Sequence, residues 1–248
     1  MIDPRVSRAL LVLTTLAAGW CRPAPAPAAQ AGSLYVRPAD EHGGARPHWE
    51  PYCPRPGDLV FFSDNKLFWR GAFALAGTGR PFHTGIVVAM PDGSPGILEA
   101  GAFDRATILV IALGPRLRCH EGKIWIRRLR QPISPEQSHR LTEFGLEQTT
   151  KGYAVGRILL ELTPLGAHGR FGARLFGTSS LHRRRWFCSE LVVAAAATVG
   201  LFDPEVMKPN TIFPRDLFID QPCDLRAHWE PAARWSPCPE EPPPDAEP

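Results

Sequence analysis

No Cys-x-x-Cys pair and no His-x-x-x-His pair occurs anywhere in the sequence. The ligand spacings of a zinc site are therefore missing, and a metal-free chemistry without a cofactor is the simpler expectation. Lysine and arginine form no long run and the formal net charge is only +3. A nucleic-acid partner is not implied. The apolar stretch Ala9 to Trp20 is too short to span a bilayer. Periodicity is missing from Pro23 to Pro56, and the end of the chain, Pro237 to Pro248, is proline-rich and acidic. The first reads as a linker and the second as a disordered tail, and neither is a seat of chemistry.

What remains is enough for one domain of ordinary size with appendages, since 248 residues are 44% hydrophobic. Residues 1–28 read as a signal peptide or N-terminal anchor. Arg5 and Arg8 supply a positive start, an apolar stretch follows, and Ala26-Pro27-Ala28 offers small residues for cleavage. Leu16 to Cys21 resembles a lipidation site, although the bulky Trp20 before Cys21 argues against it. The expected organisation is 1–28 signal or anchor, 29–51 Pro/Ala-rich linker, 52–222 folded domain and 223–248 Pro-rich tail. An exported protein is expected, in the periplasm or cell envelope, with membrane association through its N-terminus as an option.

The folded part centres on Arg185 to Gly200, a run of alanine, leucine and glutamate closed by a glycine, which predicts a buried helix. Cys188 falls in its first turn, where unpaired N–H groups and the helix dipole favour a thiolate. A base is offered by His83, which opens the β-branched run His83-Thr84-Gly85-Ile86-Val87-Val88. The next strand, Gly96-Ile97-Leu98-Glu99-Ala100, carries one carboxylate. Pro91-Asp92-Gly93-Ser94 between them is a turn, so the strands are antiparallel neighbours. Cys188 as nucleophile, His83 as base and Glu99 as its orienting group form a triad recognised by roles and not by chain order.

Five motifs then stand in one order: Pro56-Gly57-Asp58-Leu59-Val60-Phe61-Phe62, His83-Thr84-Gly85-Ile86-Val87, Leu98-Glu99-Ala100, Cys188-Ser189-Glu190-Leu191-Val192 and Phe213-Pro214-Arg215-Asp216-Leu217. In this order they resemble the permuted papain-like amidases of the YiiX/YebB type, relatives of the NlpC-type cell-wall peptidases in which the histidine precedes the cysteine. The resemblance covers about residues 52–220. It implies an α+β, permuted papain-like fold, with an antiparallel sheet packed against the helix that bears the nucleophile. It also implies the roles of Cys188 and His83, with Glu99 as the polar third member. One departure is Phe187, where a tyrosine is expected before the cysteine.

Further strands are expected at Asp58–Phe62, Thr107–Leu113 and Lys123–Leu129, and a capped helix from Ser134 through Gln148. Asp58 is read as capping a turn. Residues 64–80, with Phe68, Trp69 and Phe73, and the glycine-interrupted 154–185 are open to cleft-shaping or packing roles. His168 and His182 are spare candidates for the base in exposed loops. Glu190 is expected to pair with Arg185 or with a backbone donor at the helix start. The run Arg183-Arg184-Arg185 is either a solvated loop or a rim attracting anionic groups. Of six cysteines, Cys53, Cys119, Cys223 and Cys238 are left for disulfides in an exported chain, Cys223 with Cys238 being the local pair.

The chemistry expected is a cysteine hydrolase acting on an amide or peptide bond, with a cell-wall peptide as the substrate the resemblance implies. A lipid-directed acyl hydrolase or acyltransferase with the same triad is the alternative, its acyl pocket lined by Phe68, Trp69 and Phe73. A non-catalytic binding module is the third reading.

Overall fold

The computed structural model describes residues 30–37, 47–63, 79–102, 106–154, 174–175, 177–221 and 224–238. The expected signal region, Cys21, Phe68, Trp69, Phe73, His168 and Cys223 lie outside them. The fold is mixed α+β, with a large antiparallel sheet and few helices. The sheet holds β1 (Ser33–Val36), β2 (His48–Pro51), β3 (Leu59–Ser63), β4 (His83–Ala89), β5 (Pro95–Ala100), β6 (Ile108–Ala112), β7 (Lys123–Arg127) and β10 (Ala233–Ser236). Its eight strands run in the order β2-β1-β10-β7-β3-β4-β5-β6. The helices are α1 (Leu113–Arg118), α2 (Pro135–Gln148), α3 (Cys188–Thr198) and α4 (Pro214–Phe218). Two short parallel strands, β8 (Gly152–Tyr153) and β9 (Arg185–Trp186), join the end of α2 to the start of α3.

The middle strands are apolar at almost every position because both sheet faces are covered. Register sets Leu59 opposite Ile86 and Ile86 opposite Leu98, so these point one way with Phe61, Val88 and Ala100. They share a core with Leu191, Val192 and Ala195 of α3 and with Leu141 and Phe144 of α2. Val60, Phe62, Val87 and Ile97 point the other way and pack with Leu113 and Leu117 of α1. A strand buried on both faces needs no polar alternation. α2 starts as its sequence requires: Ser134 Oγ accepts from Gln137 N–H at 3.2 Å, and Gln137 Oε1 accepts from Ser134 N–H at 2.9 Å. α3 ends before Gly200, whose φ of 78° is the left-handed value that favours glycine.

Four expectations need correction. Residues 29–51 are not only a linker, because β1 and β2 lie within them. Both are short, four residues each, and their place in the sheet comes from partners far along the chain. Residues 223–248 are not only a tail, because β10 bridges β1 and β7. Trp229 and Trp235, just before and within that strand, are buried. The helix of Cys188 begins at Cys188 itself, since Arg185 and Trp186 are held in β9 by pairing with Gly152 and Tyr153. Cys53, Cys119 and Cys238 are free and exposed, so none of these three is in a disulfide. Asp58 caps as read. Its carboxylate accepts from Tyr52 Oη at 2.9 Å, Arg55 N–H at 3.0 Å and Leu129 N–H at 2.8 Å.

Trp229 tests the correction at the C-terminal end. Its indole N–H donates to Gly57 O at 2.9 Å and its ring stacks on Phe202 with centroids 5.0 Å apart. Trp229→Ala is expected to cost about 3–5 kcal/mol in urea denaturation, the range for a buried aromatic. An unchanged midpoint would mean that the segment after residue 223 is detached from the core.

Candidate active site

The site forms at the end of the sheet where β4 begins and β5 ends. Gly85 stands opposite Glu99 and Phe62 opposite His83, so His83, Gly85 and Glu99 share the face that carries α1. Gly85 is required there. A Cβ on it would lie 2.8 Å from Glu99 Cγ and 2.8 Å from Ile97 Cδ1, closer than real contacts allow. With hydrogen in that place, the Glu99 side chain crosses the strand and its Oε2 meets His83 Nε2 at 2.8 Å.

Glu99 is fully buried and has a second partner. Arg116 of α1 donates Nε to Oε1 at 2.9 Å and Nη2 to Oε2 at 3.1 Å, a two-pronged hold. The guanidinium lies 4.2 Å above the Phe62 ring centroid. Burial alone would raise the Glu99 pKa, but His83 and Arg116 outweigh it and hold the carboxyl below its ordinary value.

Cys188 reaches the same point from the other face, as the first residue of α3. It is 3% exposed, and the His83 side chain is 20% exposed. The site thus opens to solvent at the histidine. Burial disfavours the charged imidazole, yet hydrogen bonds and charge attraction from Cys188 and Glu99 prevail and push the His83 pKa up to about 9. Nε2 is taken by Glu99, which leaves Nδ1 for Cys188. Cys188, His83 and Glu99, chosen from the sequence, are therefore brought together.

No family model matches the chain, and no curated protein does. Among solved structures it is similar to the crystal structure of metalloprotein yiiX from Escherichia coli O157:H7, DUF1105. The two share 18% sequence identity and a TM-score of 0.47, over 75% of this chain and 98% of that one. The chain is similar to a YiiX protein. That is the group its motif order resembles. The neighbour is described as a metalloprotein, whereas the described residues here include no group of three or more His, Cys, Asp or Glu able to hold a metal ion. Both oxygens of Glu99 are already engaged by His83 and Arg116.

The remaining candidates sort by position. His182 is exposed. Glu190, buried in the first turn of α3, pairs with Arg183 at 2.7 Å and accepts from Phe187 N–H at 3.4 Å, the backbone donor expected of it. Arg184 and Arg185 are exposed. Ser189 Oγ donates to Ile212 O at 2.5 Å and ties α3 to the segment before α4.

Two residues at the site have no place in the sequence reading. Arg116 sits in Leu113-Gly114-Pro115-Arg116-Leu117-Arg118, where nothing announces a carboxylate partner. Tyr153 follows the end of α2, and burial together with the charge and hydrogen bonding of Cys188 raises its phenol pKa well above the usual range. The one available hint was negative: a tyrosine expected at position 187 was missing.

The raised pKa of His83 has a defined sign. It contributes stability that is fully present below the ordinary value of 6.5 and is lost as pH rises through about 9. The His83→Ala variant should therefore show a flatter decline in unfolding free energy between these limits than the parent. An NMR titration checks the cause: Glu99→Gln should lower the His83 midpoint by at least about one unit. A midpoint that stays put in Glu99→Gln would remove Glu99 as a partner of the imidazole.

Proposed function

We propose that this chain is a cysteine hydrolase of the permuted papain-like kind that cleaves an amide or peptide bond through a Cys188 acyl-enzyme. One observation carries the reading. His83 is bonded at Nε2 to a buried carboxylate that a guanidinium holds still, and its other nitrogen is left for a cysteine at the first position of a helix. A nucleophile, a base and an oriented support for the base are the parts that acyl transfer needs.

In this reading His83 takes the Cys188 proton, and the resulting imidazolium stays beside the sulfur. The thiolate attacks the carbonyl carbon, and the C=O electron pair moves onto oxygen. Backbone N–H groups at the start of α3, which have no intrahelical partner, stabilise the oxyanion in this reading. The C–N bond then breaks as His83 gives its proton to the departing nitrogen. Water, deprotonated by the now neutral His83, attacks the thioester and releases the acid. Throughout, Glu99 keeps the ring in one orientation and Arg116 keeps Glu99 in place. The export features of residues 1–28 and the likeness to NlpC-type enzymes support a substrate outside the cytoplasm, with a cell-wall peptide as the first class to try.

Iodoacetamide labelling, with the modified peptides mapped by mass spectrometry, separates Cys188 from the exposed Cys53, Cys119 and Cys238. At about pH 6.5, Cys188 should be modified at least about tenfold faster in the parent than in His83→Ala. Equal labelling in both proteins would defeat the nucleophile–base pair. Against a cell-wall peptide, Cys188→Ser and His83→Ala should each lower kcat/KM by at least about 10³-fold.

A further inference from the structure

We propose that Arg215 and Ser63 form a carboxylate-binding subsite beside the triad, so that the amide cleaved belongs to a peptide with a free carboxylate near the scissile bond. The inference rests on the hydrolase reading above and specifies its substrate. Arg215, in α4, is tied to the chain on both catalytic flanks. On the Cys188 side, Ser189 Oγ donates to Ile212 O at 2.5 Å, three residues before Arg215. On the His83 side, the guanidinium lies against Gly79, where a Cβ would collide with Nη1 and stand 3.5 Å from Cζ. Gly79 is four residues before His83, so the two are at most about 14 Å apart.

Arg215 is exposed and, among the described residues, pairs with no carboxylate. The acidic groups around it are already matched: Glu99 by His83 and Arg116, Glu190 by Arg183, and Asp216 by Phe213 N–H at 2.7 Å. Arg184 and Arg185, just before Cys188, are exposed as well. This end of the fold therefore attracts anions. Ser63 is a second, independent sign. It ends β3 one residue beyond Phe62, which stands opposite His83. Alternation with Phe61, whose ring meets Phe218 of α4 at a centroid distance of 5.4 Å, turns Ser63 to the face that carries α3 and α4. Ser63 is 3% exposed, and its Oγ has no hydrogen-bond partner. A buried hydroxyl left so is costly, and a carboxylate oxygen would accept its hydrogen bond. The guanidinium fork suits the same planar group.

Alkylating reagents shaped like short peptides test this directly. N-iodoacetyl peptides of one, two or three glycines are compared, each ending in a carboxylate or a carboxamide, with rates at Cys188 normalised to the exposed Cys53, Cys119 and Cys238. At one length or more, the parent should prefer the carboxylate at least about fivefold at low salt, and less as salt rises. Arg215→Gln should remove most of that preference, Arg215→Lys should keep part of it, and Ser63→Ala should lower it about twofold. No preference at any length, or one that survives Arg215→Gln, would overturn the subsite while leaving the His83→Ala effect, and with it the hydrolase reading, intact. Labelling that ignores His83→Ala would overturn both. Vesicles of anionic phospholipid that shield Cys188, with no preference among the reagents, would assign the cation to a lipid headgroup and overturn the peptide carboxylate.

Discussion

A carboxylate with no exposure to solvent has to be matched by fixed partners, because an unpaired buried charge costs several kcal/mol. Glu99 meets that requirement through Arg116 on one side and His83 on the other. Much of the surrounding structure is what this pairing demands. Gly85 must have no side chain, or the carboxylate could not cross β4. The register of β4 and β5 must be the one observed, since a slip by one residue would turn Glu99 to the face packed by α2 and α3. α1 must follow β6 directly, because that tight hand-over carries Arg116 back across the sheet edge to Glu99.

Much of this was legible in the residues themselves, but unevenly. His83 and Glu99 stand out as polar residues in strands that are otherwise apolar, and the Pro91–Ser94 turn fixes their strands as neighbours. Cys188 is marked by the helix that follows it. Arg116 carries no such mark, since its partner is set by the packing of α1 on β5 and not by spacing. Tyr153 belongs to a strand of two residues, too short for any alternation to show. The outer strands failed for the same reason: Ser33–Val36 and Ala233–Ser236 pair with each other across nearly the whole chain. Composition marked their surroundings as linker and tail, while Leu34, Trp229 and Trp235 were core residues.

The start of α3 shows how a small boundary difference changes the chemistry. A helix beginning at Arg185 would place Cys188 at the end of its first turn. With Arg185 and Trp186 drawn into β9, Cys188 is the first residue of α3, at the end whose N–H groups have no intrahelical partner. Glu190 reinforces that start. It is buried in the first turn, where a negative charge suits the helix dipole, and it ties Phe187 N–H and Arg183 to the helix. The same pairing places Tyr153 opposite Trp186, two residues before the nucleophile.

Arg116, Glu99, His83 and Cys188 make a row in which positive and negative groups alternate when the thiolate is present. Each charge is supported by the next, and the support of His83 comes from both sides. In the proposed cycle this arrangement times the proton transfer. Before attack the thiolate helps hold the proton on His83, which keeps the nucleophile charged. Once sulfur is bonded to carbon that negative charge is gone, Glu99 alone remains, and the imidazolium becomes a stronger acid at the moment when the leaving nitrogen needs a proton. Hydrolysis of the thioester restores the sulfur's charge and returns His83 to its first state. A neutral partner in place of Glu99 would weaken the base before attack and after it alike, whereas the contribution of Cys188 changes within each turnover. The carboxylate is therefore the constant term, and the nucleophile itself is the switch.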